Sequence, residues 1–304
     1  MSDFLSALGE KIAERWLSLL VLPGLLYISI AVAGGHILTQ EYWHDFSRLQ
    51  RRLNEFATTP AAHSPGFIIL GVFLILAGAA GVGFVAQTVG TVVERIWLTD
   101  VGYPLSQKLA SRRTTRWTAA KNAYNEALIA KANAELDPNP APAAVGEQDL
   151  TQLNTSRNRV SLTEPRRPTW IGDRMLSAGR RIHSAYDLDI NSAWPRLWLI
   201  VPDPVRDQLQ NARADFAAAA RLSAWGLGYL PIAFWWWPAA LIGFSALGTG
   251  WHRGRNTITV LAELIEATVD LHGRDLAKSL GIPDTGPLTP ETGAVITEML
   301  RKGV

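Results

Sequence analysis

Apolar positions are bunched along this chain into uncharged runs, and the most apolar late run covers residues 222–250. It contains no Asp, Glu, Lys or Arg, a pattern typical of residues that lie in lipid. At about 1.5 Å per residue, the run is too long for one upright crossing of a roughly 30 Å hydrocarbon layer and short for two. It suffices for two if residues 217–220 and the stem of Arg221 also lie in the membrane, with the guanidinium at the interface.

Three consecutive tryptophans, Trp235, Trp236 and Trp237, lie in the middle of this run and are followed by Pro238. Indole rings are amphipathic and favour the membrane interface over the midplane. Proline suits the first turn of a new helix. The pattern therefore predicts a tight transmembrane hairpin over residues 217–252, with the three tryptophans at its tip and Trp251 as an interfacial anchor at its end.

Two earlier uncharged runs, residues 17–38 and 67–93, predict a first transmembrane hairpin over residues 17–93. The alternative for the first run is a cleaved signal peptide, with Ala31-Val32-Ala33 as the processing site. The run is longer than the usual signal core of about 7–15 residues, and its leader has no net positive charge. Both features favour a retained span.

The second span is rich in small residues. Small residues four positions apart let helix backbones approach closely in lipid. The expected partner is another helix of the same chain, and self-association with a second copy stays open. The positions expected to pack are Gly78, Gly81, Gly83 and Gly90, within the pairs Ala77/Gly81, Ala79/Gly83 and Ala86/Gly90.

Two segments outside these runs have apolar residues at helical spacing. Residues 1–16 predict an amphipathic helix on the membrane surface, and the external loop 39–66 predicts a second amphipathic helix. The apolar positions are Phe4, Leu8, Ile12 and Trp16 in the first, and Tyr42, Phe46, Leu49, Leu53 and Phe56 in the second.

The polar region, residues 94–216, predicts a mainly helical cytoplasmic domain inserted between the two hairpins. Arg112, Arg113 and Arg116 follow the second span closely, and positive charge near the end of a span marks the cytoplasmic side. We expect these side chains to meet anionic lipid heads. Asp203 and Pro204 predict the start of a helix that continues without a break into the second hairpin.

Three further segments complete the prediction. Residues 104–136 are Ala-rich and predict a helix, and a loop is expected from Asp137 to about Pro168. Residues 253–304 predict further cytoplasmic helices, the first of them ended by Gly281 and Pro283.

Composition narrows the chemistry. The chain of 304 residues has no cysteine, which excludes disulfides, thiolate zinc sites, iron–sulfur clusters and cysteine nucleophiles. The formal charge of +2 is small. There is no Gly-rich phosphate loop, nucleophile elbow or zinc-protease motif, and no recognition motif supports nucleic-acid binding. The spans have no ionisable interior residue, which argues against active transport but permits a passive pore.

Two clusters of polar residues are candidates for a metal or acid–base site. His183, Asp187 and Asp189 are close enough in sequence to suggest a metal or acid–base site, but Asp189 before Ile190 is favoured as a helix cap. Glu263, Glu266 and Asp270, with His272 nearby, share one helix face. A solvated face is favoured there over a cation site. No catalytic, cofactor or metal residue is therefore predicted.

The segments around Trp170-Ile-Gly-Asp-Arg, Tyr186-Asp-Leu-Asp and Trp194-Pro-Arg-Leu-Trp resemble an uncharacterised actinobacterial-type family of multi-pass membrane proteins. The resemblance implies a membrane location and no known activity. The layout of two span pairs around a large insert is also similar, in topology alone, to bestrophin-type anion channels.

The sequence thus predicts an all-α, polytopic membrane protein with four transmembrane helices in two hairpins and a mainly helical cytoplasmic domain between them. The function expected is a non-enzymatic interaction or effector module of the bacterial plasma membrane, with both termini cytoplasmic. Its expected partners are the bilayer, a further copy of the chain and an unidentified cytoplasmic protein, without nucleic acid. The alternative is a homo-oligomeric ion channel.

Overall fold

The structure is a computed structural model, and it describes residues 21–38, 40–59, 64–100, 104–136, 146–283 and 286–301. The described residues are helical with short connections, and no strand occurs among them, which confirms the all-α class. In chain order the helices are α1 (Leu22–Val32, continued by a π-helical segment, Ala33–Leu38), α2 (Phe46–Ala57), α3 (Pro65–Leu98), α4 (Pro104–Leu136), α5 (Glu147–Val160), α6 (Trp170–Tyr186), α7 (Ile190–Ile200), α8 (Asp203–Ile232), α9 (Pro238–Ser279) and α10 (Pro290–Arg301).

Proline fixes the start of four helices. Helices α3, α4, α9 and α10 begin at Pro65, Pro104, Pro238 and Pro290. A helix leaves its first N–H groups unpaired in any case, so the missing proline N–H costs nothing there. Helix α8 begins at Asp203 and runs unbroken to Ile232, as the sequence predicted.

Side-chain caps and left-handed residues set other helix ends. Thr169 Oγ1 accepts from the Gly172 N–H at 2.9 Å, and an Asp189 carboxylate oxygen accepts from the Asn191 N–H at 3.1 Å. Each bond satisfies a donor that the helix itself leaves open. Helix α9 ends in a turn at Gly281, whose φ of +80° suits glycine. This confirms the predicted helix stop.

Two predicted segments differ in the structure. The loop expected after Asp137 contains a helix, α5, whose polar composition gives no apolar stripe. The Trp117 indole N–H of α4 donates a hydrogen bond of 3.0 Å to the carbonyl of Ser161, the residue that follows α5. The predicted last span and the amphipathic helix expected after it form one helix of 42 residues, α9. The predicted surface helix over residues 1–16 lies outside the described residues.

The chain divides into two compact units. The first unit comprises the described parts of residues 1–94 together with residues 217–253, and the second comprises those of residues 95–216 and 254–304. Helices α3, α8 and α9 each contribute residues to both units. The first unit holds the uncharged runs, and the second holds the polar region and the C-terminal helices.

Among the described helices, α3 is the one that is both long and apolar enough to cross a membrane, and α1 with the start of the π segment forms a shorter apolar helix. The uncharged parts of α8 and α9, residues 222–232 and 238–250, lie on either side of the tryptophan turn. At 1.5 Å per residue, each is about 17–20 Å long, less than the roughly 30 Å of a hydrocarbon layer. Four crossings therefore stay a prediction.

Candidate functional site: a tryptophan hairpin and a basic groove

The tryptophans lie in the turn between α8 and α9, at residues 233–237. The side chain of Gln40 makes three hydrogen bonds to the backbone of this turn. Its amide nitrogen donates to the Ala233 and Phe234 carbonyls at 2.8 and 3.0 Å, and its amide oxygen accepts from the Trp237 N–H at 3.3 Å. Gln40 thus pairs with two carbonyls of the turn that follows α8 and with the N–H directly before α9.

Aromatic packing holds the same turn. The Trp236 indole N–H donates to the Trp43 carbonyl at 3.3 Å, and the rings of Trp43 and Trp237 meet edge to face with centroids 5.0 Å apart. Trp235 and Phe234 remain exposed at the tip. An exposed aromatic tip is the arrangement that a membrane interface favours. Trp251, the other predicted anchor, lies within α9 and is partly exposed.

The four glycines predicted for helix packing have different surroundings. Gly90 lies against Arg221, whose Cγ would be 2.8 Å from an added Cβ. Gly83 is buried, and Gly78 has only the tip of Ile28 nearby at 3.5 Å. No atom lies within 4 Å of the place that a Cβ on Gly81 would occupy. The small residues of α3 therefore serve packing in the described unit at some positions and leave others uncovered.

Close backbone approaches in the first unit occur at glycines that the sequence reasoning missed. A Cβ on Gly24 would lie 2.1 Å from the Ala79 carbonyl oxygen, so α1 and α3 touch backbone to backbone. A Cβ on Gly226 would lie 2.8 Å from the Gly243 carbonyl oxygen, and one on Gly250 would lie 2.9 Å from that of Ala219. The seven-residue spacing of Gly243 and Gly250 is the signal that could have found this seam.

The three arginines predicted to meet lipid heads divide into two groups. Arg112 and Arg116 are exposed on α4, where the prediction stands untested. Arg113 corrects it, because its side chain is only 17% exposed and pairs with Asp173 of α6. The three positions lie within about 100° on one helix, so the difference comes from the packing of α6 beside Arg113 and not from local spacing.

The Arg113–Asp173 pair is the centre of a buried polar network in the second unit. Arg113 also donates to the Arg167 and Val160 carbonyls at 2.6 and 2.8 Å. The other carboxylate oxygen of Asp173 accepts from the backbone N–H groups of Arg166 and Arg167 at 2.9 and 2.8 Å. The network ties α4, α6 and the segment between α5 and α6 together, which is a structural role.

The carboxylates of α9 meet the prediction only in part. Glu263 and Asp270 are exposed as expected, but the face also pairs with α6: Arg174, itself only 4% exposed, bonds Glu263 at 3.1 Å, and Arg181 bonds Glu266 at 2.5 Å. The Tyr186 hydroxyl donates to Asp270 at 2.9 Å, and this bond is the main cause that raises the tyrosine pKa. The sequence did not reveal the pairing because α6 and α9 lie far apart along the chain.

The cluster of His183, Asp187 and Asp189 is divided by its geometry. His183 and Asp187 are exposed, with Nδ1 and the nearer carboxylate oxygen 3.5 Å apart, while Asp189 caps α7 as predicted. Burial acts to raise the Asp189 pKa, but bonds from the Ser192 hydroxyl, the Asn191 N–H and Arg301 outweigh it and hold the pKa below its usual value. No group of three metal-ligating side chains occurs in the described part of the chain.

A large open groove lies in the second unit, between α6, α7, α8 and α9, with a volume of about 1310 Å³. Its lining combines aromatic residues with arginines, and sequence reasoning did not identify it. The groove arises where four helices meet, so no local sequence pattern predicts it. Gly179, Arg180, Trp194 and Trp198 are among its lining residues.

Comparisons of this chain with known protein families, with curated proteins and with solved structures found no match.

Proposed function

We propose that this chain is a non-enzymatic, multi-pass module of the bacterial plasma membrane. Four crossings in two hairpins would anchor it, and both termini and the second unit would face the cytoplasm. Anionic lipid heads would meet the exposed Arg112 and Arg116, and a cytoplasmic protein would bind the second unit. The module would thus couple a helical domain to the bilayer and to that partner.

The observation that carries this proposal is the surface of α3. Every large apolar side chain between Phe67 and Leu76 is exposed, on all sides of the helix. Only 11% of the most apolar 18-residue window of α3 is buried, unlike the core helix of a soluble protein. A contiguous apolar surface of this size would associate strongly in water. Lipid would cover it without a further protein.

The second hairpin supports two crossings if its helices extend beyond their uncharged parts. Helix α8 continues without a break from residue 216 through Arg221, and the stem of Arg221 packs on Gly90 of α3. A stem covered in this way can lie in the apolar layer while the guanidinium reaches the interface. Residues 216–232 would then span about 25 Å at 1.5 Å per residue.

The absence of native cysteine allows a direct topology experiment. Leu53→Cys in the first loop, Phe234→Cys at the hairpin tip and Leu271→Cys on α9 each place a thiol at an exposed position. Intact cells are treated with a membrane-impermeant maleimide, and permeabilised cells and the cysteine-free parent serve as controls. We expect Leu53→Cys and Phe234→Cys to react from outside, and Leu271→Cys to react only after permeabilisation. External labelling at Leu271→Cys would refute the four-crossing arrangement.

One observation favours the second candidate, a homo-oligomeric channel. Gly71 and Gly81 of α3 have nothing within 4 Å where a Cβ would lie, so this small-residue face is open to another copy. A channel must form a ring and conduct ions when reconstituted in liposomes. Native mass measurement in nanodiscs and an ion-flux assay test it together, and a monomer without flux would remove this candidate.

A further inference from the structure

The groove between α6, α7, α8 and α9 has an apolar floor and aromatic walls. Ala178, Leu188 and Leu261 line it and are almost fully buried, whereas the Trp194 and Trp198 rings stand half-buried, with centroids 6.0 Å apart. Partly exposed indole rings beside a buried floor offer a partner both apolar area and a shaped surface. Tryptophan and arginine are also the residues enriched at binding hot spots.

The lining of this groove is cationic. Four arginines contribute to it, and Asp189 is the acidic residue among its described lining. The Asp189 carboxylate already accepts from the Ser192 hydroxyl at 2.8 Å and lies 3.4 Å from Arg301. The net charge that the groove presents to a ligand is therefore positive.

Arg180 has hydrogen-bonding capacity that the described part of the chain does not use. Its Nη2 atom is buried without a hydrogen-bond partner there, and Nη1 reaches the Glu164 carbonyl only at 3.5 Å. Burial lowers the pKa of Arg180 and the neighbouring Arg166 lowers it further, against the opposing attraction of Glu164 and Asp173. Arg180 as a whole is partly exposed and lines the groove, so a carboxylate there would pair with the accessible part of its guanidinium and offset the repulsion from Arg166.

The shape favours an amphipathic helix over a lipid. The cavity of about 1310 Å³ exceeds the roughly 300–1,000 Å³ of ordinary small-molecule pockets and is open to solvent instead of enclosed. An acyl chain would stay partly wet in an open groove, whereas a helix needs cover on one face only. A helix also carries apolar anchors and carboxylates on separate faces at fixed spacing.

We infer that this groove binds a short acidic amphipathic helix of a partner protein. Its apolar face would pack on Trp194 and Trp198, and an Asp or Glu side chain would pair with Arg180. This inference rests on the proposed function for the statement that the second unit meets a cytoplasmic protein. It adds where that protein binds and which chemistry the groove selects.

The test uses the full chain in phosphatidylcholine nanodiscs and a fluorescent helical peptide. The peptide carries Leu and Phe at i, i+4, i+7 and i+11, with Glu on the opposite face. Its matched controls are a scrambled sequence and a version with Lys in place of Glu. Fluorescence anisotropy should give a dissociation constant of about 1–100 µM for the acidic helix only.

Three variants locate the site. Arg180→Gln removes the charge, and Gly179→Leu fills the groove, since a Cβ on Gly179 meets only Ile190 at 3.4 Å. Arg159→Glu, exposed on α5 outside the groove lining, is the matched control. We expect about a tenfold loss of affinity for each groove variant and no change for the control. Thermal unfolding of each variant confirms that the fold is retained.

Several results would overturn the inference. Absence of saturable peptide binding, or binding that ignores both groove variants, removes the site. Preference for phosphatidylglycerol vesicles over the peptide, lost in Arg180→Gln, would make the groove a lipid site instead. If peptide binding fails while Leu271→Cys stays protected in intact cells, this inference falls and the proposed membrane module stands. External labelling at Leu271→Cys refutes the module whatever the peptide does.

Discussion

The buried pair of Arg113 and Asp173 gives the sharpest quantitative prediction. Asp173 is only 3% exposed, and one of its carboxylate oxygens faces Arg113 while the other accepts two backbone N–H groups. The substitution Asp173→Asn keeps the size of the side chain and an oxygen for the two N–H groups. It replaces the oxygen that faces Arg113 with an amide nitrogen, which cannot accept a hydrogen bond.

The expected loss follows from the position of the charge. Removing one partner of a buried ion pair costs about 3–5 kcal/mol, because the other charge stays buried without compensation. Arg113 keeps its bonds to the Arg167 and Val160 carbonyls, so the lower end applies. A loss of about 3 kcal/mol corresponds to a fall of about 6–12 °C in the melting temperature of a unit of 150–250 residues.

A surface pair of the same chemistry provides the control. Asp100 is 81% exposed and lies 3.7 Å from Arg167. An exposed pair contributes about 0–1 kcal/mol, so Asp100→Asn should lower the melting temperature by no more than about 4 °C. The assay is thermal unfolding of the detergent-solubilised full chain, followed by circular dichroism at one scan rate for all variants.

The melting temperatures of the two variants test whether the buried pair stabilises the fold more than the exposed pair does. If Asp173→Asn melts within 2 °C of Asp100→Asn, burial does not make the Arg113–Asp173 pair more important than a surface pair. The account of the network as the tie between α4 and α6 would then be wrong. A fall confined to Asp173→Asn supports it, and Arg113→Lys should reproduce most of the fall, because an ammonium cannot bond all three acceptors with the fork of a guanidinium.

Three other predictions concern the hairpin and a cap. Gly226→Leu should destabilise the solubilised protein by about 1–3 kcal/mol, since even a Cβ would press on the Gly243 carbonyl, while Gly248→Leu, with open space around it, should leave the melting temperature unchanged. Gln40→Leu removes three hydrogen bonds from the tryptophan turn and should increase acrylamide quenching of tryptophan fluorescence; unchanged quenching would contradict the role of Gln40. The lowered pKa of Asp189 stabilises the fold at pH values above its usual 3.8, and this contribution is lost as pH falls through the lowered value. Asp189→Ala should therefore melt below wild type at pH 7 and match it at acidic pH, and a difference that persists at about pH 2 would contradict the linkage.

Local sequence features determined most of the secondary structure. Pro238 after the tryptophans marked the start of α9, Asp203 marked that of α8, and Gly281 marked the end of α9. These signals work because a cap, a fixed φ or a left-handed turn is decided by one or two residues. Helix α5 was not predicted, because its residues are mostly polar and show no apolar repeat at helical spacing. Its contact with α4 also joins residues that are distant in sequence.

Tertiary structure alone decided which polar residues pair and which surfaces stay open. The sequence predicted that Arg113 and Glu266 lie on helices. Only the packing of α4 and α9 against α6 showed that each pairs with a residue of α6. The groove beside Arg180 likewise exists only where four helices converge. The physical reason is the distance along the chain. Helix starts and ends depend on neighbours a few residues away, whereas these ion pairs join residues 60 and 85 positions apart.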